Sequence, residues 1–346
     1  MSIFLICSCE NSNPQDKKHY EINTFENNNI QYKSLKGKKY VFSQVRVPNS
    51  IIKVDSKLIV SEMAGDTLMS VIDANEMTFD YKFGKEGMGP GEFYKIWNLY
   101  PSSKAGHFWI YCPETKISTH YNLMENEIDR TYKQTSEDVL ATQFSPSYRN
   151  SFIGLKADGS YQFAEFSESG KEIAGFNTWE GFVEKSEEIP PNVIAAVHQG
   201  QLYSNLRQDK FALACLKRDM IEVLDLKDSS ILSIRGPENI TPEFRVDYSS
   251  GYPMAVTNRQ KDVYCYYSAY LSDNYIYGLY SGETFINVNQ NHSDVAKIIY
   301  KFSYDGDLVA SYKLDTSVQS IHVDEKESKI YGITTDDNPG IAVFNM

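Results

Sequence analysis

Side chains able to do chemistry are spread thinly along this chain. The six histidines are His19, His107, His120, His198, His292 and His322. None is spaced from another as metal ligands on one local element would be. No H-E-x-x-H pair and no G-x-S-x-G elbow occurs. The local patterns therefore call for no catalytic residue, no metal and no cofactor. Cys112, Cys215 and Cys265 each sit in an apolar run and fit neither zinc spacing nor a disulfide framework. They read as buried free thiols. Asp158-Gly159 and Asp305-Gly306-Asp307 are too short for calcium loops and read as hairpin turns. The glycine-rich stretch 84–91 could cradle phosphate, but it lacks the GK[ST] ending and precedes a strand. It reads as a turn between sheets in which glycines supply unusual backbone angles and Phe93 plugs the gap.

Binding chemistry is better represented. Segments rich in turn residues carry Trp179, Phe182, Phe244, Arg245, Tyr248, Tyr252, Arg259, Phe285, Asn287, Asn289 and His292. Flat rings stack on sugar or peptide faces, and amides and guanidinium groups hydrogen-bond. The candidate ligand-binding set is Trp179, His198, Arg245, Tyr248, Tyr252, Arg259 and His292. If the chain were instead a lyase or hydrolase, His198, His292, Arg245 and Tyr252 would be the first acid/base and charge-stabilising suspects.

The elements that must position these residues are strands. Apolar and polar residues alternate over 4–8 positions between turn residues through most of the chain. A hairpin unit recurs at Leu68, Ile117, Tyr161, Ile221, Ile298 and Ile341. A strand precedes each, at Lys57, His107, Ser151, Phe211, Tyr275 and Lys329. The offset between them is 10 to 12 residues in five repeats and 23 in the fifth. Further strands lie upstream, as at Asn49, Leu202 and Val318. Six such four-stranded antiparallel meanders cannot bury both faces singly, but bury each other when arranged radially. The expected fold is all-β: a six-bladed β-propeller of residues 37–346. The last repeat stops after its third strand, so Lys39 to Ser43 is expected to supply the fourth and close the ring.

In such a blade the connection between second and third strands and the connection to the next blade emerge on one face. The expanded segments around 180–200, 236–260 and 281–294 then build a rim around a central mouth. Long loops in compact domains tend to be functional.

The first nine residues, ending Ile6-Cys7-Ser8-Cys9, have the apolar run, small residue and cysteine of a lipoprotein signal. The basic region is missing and the apolar core is short; a start placed too far downstream would account for both. Cys9 is the expected lipidation site, and residues 10–36 read as a tether. The whole chain has 346 residues with 46 acidic and 34 basic side chains, for a net charge of −12. That balance excludes nucleic acid as the main partner and anionic lipid as a docking surface. A hydrophobic content of 41% with 13% aromatics excludes a disordered chain. No run reaches the roughly 18 apolar residues of a membrane span, so a lipid would be the only membrane link.

The segment Phe83-Gly84-Lys85-Glu86-Gly87-Met88-Gly89-Pro90-Gly91-Glu92-Phe93 resembles the F-G-x-x-G-x-G-P-G-E-F signature of NHL-like six-bladed propellers. With the leader cysteine and the terminal Ile341–Asn345 strand, it is most similar to the TolB-like propeller lipoproteins of Bacteroidetes. Met88 stands where members often carry Arg. The resemblance implies an envelope lipoprotein, in the periplasm or on the outer membrane, and carries over no catalytic residue. The function expected is a monomeric, non-catalytic binding or scaffolding module for a glycan, peptide or envelope protein. The alternative is an envelope lyase or hydrolase with its active site at the propeller mouth.

Overall fold

Alternation along single strands sends successive side chains to opposite sheet faces, and the molecule uses both. In Lys210–Cys215, Phe211, Leu213 and Cys215 enter one buried cluster while Ala212 and Ala214 enter the next. The computed structural model describes residues 19–23, 25, 30–135, 141–179, 189–290 and 294–346. These form six sheets ordered along the chain, each with a core of four antiparallel strands. Blade one is Pro48–Val54, Lys57–Glu62, Thr67–Asp73 and Thr78–Lys85. Blade two is Asn98–Pro101, His107–Cys112, Ile117–Asn122 and Glu127–Lys133. Blade three is Ala141–Pro146, Phe152–Lys156, Phe163–Phe166 and Glu172–Phe176. Blade four is Gly200–Ser204, Lys210–Cys215, Met220–Asp225 and Ser230–Arg235. Blade five is Tyr266–Leu271, Tyr275–Tyr280, Ile298–Ser303 and Leu308–Leu314. Blade six is Val318–Asp324, Lys329–Thr334 and Ile341–Asn345, completed by Gly37–Tyr40.

Six buried apolar clusters lie one at each seam between neighbouring blades. The seam of blades six and one, with Tyr331, Ile333 and Ile341 against Leu58, Val60 and Ile72, makes the ring closed. Each fully buried Leu or Ile there contributes about 1.5–3 kcal/mol. Closure is by strand pairing: Gly37–Tyr40 runs antiparallel to Ile341–Phe344, with Tyr40 opposite Ile341. The closing strand thus lies slightly upstream of the expected Lys39–Ser43. The chain turns away at Phe42, whose carbonyl accepts the Val45 N–H at 3.0 Å, and Val45 drops into the seam.

The stretch expected as a tether is more engaged than its composition announces. His19–Asn23 pairs in parallel with Ser230–Arg235, and Tyr32–Leu35 in parallel with Leu308–Leu314. Each covers the outer edge of a blade that would otherwise be open. Phe25 packs edge-on against Tyr300 and Phe302, and Leu35 is buried. Cys9 lies outside the described residues. No helix among the described residues is long and apolar enough to cross a membrane.

The glycine-rich segment is the expected blade-to-blade turn. Gly84 has φ +77°, and a Cβ there would lie 2.4 Å from the Met69 methyl. Glu92 accepts the Gly89 N–H at 2.9 Å and pairs with Lys85 at 2.6 Å. Phe93 is buried in the seam of blades one and two, while Met88 is exposed. Cys112, Cys215 and Cys265 are buried free thiols.

Candidate functional site

The additions gather on the face of the long loops. Between blades three and four stands a short helix, α1 (Pro191–Val197). Pro191 suits its first turn, where φ near −65° is wanted and an N–H has no helical partner. Val193 and Val197 lie one turn apart and are buried. The helix stops at His198, whose backbone N–H and Nδ1–H both donate to the Ile194 carbonyl, at 3.1 and 2.7 Å. Between blades four and five, Phe244–Asp247 and Met254–Thr257 form a hairpin. The Asn192 amide of α1 donates to the Pro253 carbonyl at 2.8 Å and ties the hairpin down. The long loop of blade five carries α2 (Phe285–Gln290).

Where α1 meets the inner strands, a cavity of about 460 Å³ opens. Trp97, Trp179 and Tyr267 supply aromatic walls, and Gln162, Gln199 and Gln201 supply amides. No carboxylate lines it among the described residues. Lys156 is its charged group, and is paired with Glu172 at 2.7 Å and Asp158 at 3.1 Å. Gln162 is 1% exposed. Its carbonyl accepts the Asn177 amide at 2.9 Å, and its own NH2 finds no partner among the described residues. A buried donor without an acceptor costs about 1–3 kcal/mol, so this amide is poised for an acceptor entering the cavity.

Gln143 forms the cavity floor as a latch across three blades. Its carbonyl accepts from the Asn98 amide at 3.1 Å and the Leu202 N–H at 2.7 Å, and its NH2 donates to the Gly200 carbonyl at 2.7 Å. Below it lies an axial space of about 170 Å³ that shares Trp97, Gln201 and Tyr267 with the cavity. On the opposite, short-turn face this space meets a mouth of about 700 Å³, with which it shares Tyr270 and His322. That mouth is larger, but its ionic side chains are in part mutually satisfied, as Lys53 is by Asp324 and Glu327.

Of the expected ligand-binding residues, the structure brings Trp179 and His198 to the cavity. Their rings lie 4.8 Å apart. Burial, with the Arg218 charge beside it, pushes the His198 imidazole down to about 3. It is neutral at ordinary pH and too weak a base for the acid/base role considered for it. Arg245, Tyr248 and Tyr252 stand on the hairpin instead. Tyr248 is 62% and Tyr252 59% exposed, and neither lines the cavity. Arg259 lies over the Phe285 ring at 5.9 Å. His292 and Phe182 fall outside the described residues.

Trp97, Tyr267 and Gln162 were not legible as site residues. Their common signal is position: each lies at the long-loop end of a strand or just before one, where side chains turn toward the mouth.

A family model, TolB-like 6-blade propeller-like, matches residues 24–326. Among solved structures, a member of the DUF4221 family from Bacteroides vulgatus superposes with a TM-score of 0.60 at 11% identity, covering 91% of this chain and 97% of that one. A candidate exported protein of Bacteroides fragilis gives 0.57 at 10% identity, covering 94% and 98%. The Cps50 (Swd1) β-propeller domain of Myceliophteria thermophila gives 0.50 at 11% identity, covering 90% and 99%. At such identities these likenesses speak for fold alone. No curated relative matches the chain. With the family model spanning most of the sequence and six closed blades in the structure, the chain belongs to the TolB-like 6-blade propeller-like family.

Proposed function

We propose that this chain is a binding propeller of the bacterial cell envelope, and that its loop-face cavity takes an uncharged glycan segment without acting on it. The observation that carries the reading is the lining: three aromatic rings and several amides, with no carboxylate among the described residues and a lysine already paired. Such a wall stacks on the C–H faces of sugar rings and exchanges hydrogen bonds with hydroxyls. The Gln162 NH2, which has no partner among the described residues, donates to one of those oxygens. A volume of about 460 Å³ lies within the roughly 300–1,000 Å³ of small-ligand sites. Envelope residence is supported by the leader-like run before Cys9 and by the exported description of the B. fragilis neighbour. Lipid at Cys9 would tether the ring and leave the cavity free to face its ligand.

The test is an array of immobilised neutral and uronate-containing oligosaccharides probed with the purified chain. Binding confined to neutral members, and lost in Trp97→Ala and Gln162→Ala with the melting temperature held, is expected. Binding that survives both substitutions refutes the site. Binding only to acidic members refutes the ligand class.

A further inference from the structure

Blade two carries a second arrangement, on the short-turn face and away from the loop cavity. Ser102 Oγ lies 2.8 Å from His120 Nε2, and His120 Nδ1 lies 2.9 Å from Asp129 Oδ2. The His120 hydrogen bond holds the Asp129 carboxyl below its usual range, so it is ionised and only accepts. Nδ1 therefore carries the imidazole proton, which leaves Nε2 to accept from the Ser102 hydroxyl. Burial lowers the His120 imidazole below its ordinary value, against the Asp129 hydrogen bond that raises it, so it stands neutral. Its ring is packed against Trp109 at 4.4 Å and His107 at 4.9 Å, which fixes its plane.

The repeat supplies an internal comparison. Ser102 caps the turn after the inner strand by accepting the Lys104 N–H at 3.2 Å. Ser147 does so for Arg149 at 3.1 Å and Ser272 for Asn274 at 3.2 Å, neither with an imidazole. The turn thus needs the hydroxyl alone. Asp129 is set apart by what its carboxylate meets: an imidazole, where the equivalent Asp80 of blade one meets Lys57. His120 pairs with Arg130 and Tyr121 with Ile128, so Asp129 is the extra residue of a bulge. The corresponding bulges hold Asp80, Ile173 and Val309. A bulge re-aims a side chain, and here it turns a carboxylate onto the ring.

We propose that Ser102 and His120, with Asp129 as positioning residue, form a hydrolytic site for short-chain acyl esters. The arrangement lines a cavity of about 210 Å³, in which Ser102 is only 7% exposed. That confinement admits an acyl group of few carbons. Lys104, which is 3.4 Å from Asp129, lines the same cavity with Arg130, Asn150 and Glu168. Ser102 Oγ attacks the ester carbonyl carbon as its proton passes to His120 Nε2. The carbon–alkoxy bond then breaks and the alcohol leaves with that proton. Water attacks the acyl carbon, giving its proton to Nε2. The carbon–Oγ bond breaks, Oγ regains the proton, and the carboxylic acid departs.

The full chain is tested with a fluorophosphonate probe and with p-nitrophenyl acetate and octanoate. A covalent adduct mapped to Ser102 is expected, with the octanoate ester at least about tenfold slower than the acetate. Ser102→Ala is expected to lose at least about 100-fold of the acetate rate. Asp129→Asn, at a side chain 29% exposed, is expected to keep the fold and KM while lowering kcat at least about tenfold. Ser272→Ala shares the turn role and keeps the rate. No adduct on Ser102 in the folded protein, acetate hydrolysis that survives Ser102→Ala, or an unchanged kcat in Asp129→Asn overturns the proposal.

Discussion

Ring closure rests on few residues, so its loss is measurable with one substitution. Phe344 is fully buried in the seam of blades five and six and lies over Gly37 of the closing strand. A Cβ at Gly37 would stand 2.5 Å from the Phe344 ring, which shows how closely backbone and ring approach. Phe344→Ala removes this ring where the surrounding blades cannot collapse without opening the closure. Such truncations cost about 3–5 kcal/mol. The Lys39–Asp336 pair that flanks the closure, at 2.6 Å, is partly exposed and adds only about 0–1 kcal/mol. It cannot compensate. Summing an unfolding entropy of ~2.1 cal/mol/K per residue over a ring of this size gives about 1.5 °C per kcal/mol, hence a fall of roughly 5–8 °C. Urea and thermal unfolding followed by circular dichroism measure this. Val309→Ala, on an exposed outer-strand side chain, serves as control and should stay within about 0.5 kcal/mol. A Phe344→Ala loss below about 1 kcal/mol would refute the closure argument.

Two further outcomes follow from the fold. Gly84→Ala places a side chain at φ +77° against Met69, and should cost about 1–3 kcal/mol from the left-handed backbone and the displaced methionine; an unchanged denaturation midpoint would contradict it. Burial pushes the Asp219 carboxyl up to about 7, against the backbone N–H donors of Glu238 and Asn239 that favour its charge. The folded state then holds a proton that the unfolded chain releases near pH 4, so this group's contribution declines as pH rises from about 4 to 7 and is flat above. Asp219→Asn should remove that decline, by up to about 4 kcal/mol across the window. A variant whose stability runs parallel to the wild type from pH 4 to 8 would contradict the shift.

What was legible in the sequence was whatever repeats at close range. Phe211 to Cys215 is a continuous apolar run because its blade buries both faces, and such a run is visible without coordinates. The run from Gly84 to Phe93 was legible because its backbone demands glycine. Features made by distant segments were not. The parallel additions of His19–Asn23 and Tyr32–Leu35 have no local signature, since a parallel edge strand needs no turn beside its partner. Two short helices, α1 and α2, interrupt loops that had read as irregular. Trp179 shares the aromatic–polar context of Tyr252, yet one is buried against His198 and the other stands in solvent. Ser102, His120 and Asp129 come from a turn and two strands, and only the blade register unites them. Gln143 looked like any strand amide, but it joins three blades.

The chain carries its own reporter for the central claim. Trp97 and Trp179 line the loop cavity, whereas Trp109 lies in blade two beside His120. Titration of the purified chain with neutral hexasaccharides of the malto-, cello-, manno- and xylo- series, followed by tryptophan fluorescence, reads occupancy directly. The account predicts a saturable change with at least one series, retained in Trp109→Phe and abolished in Gln162→Ala. A flat response to every series, or a saturable response that Gln162→Ala leaves intact, would contradict it.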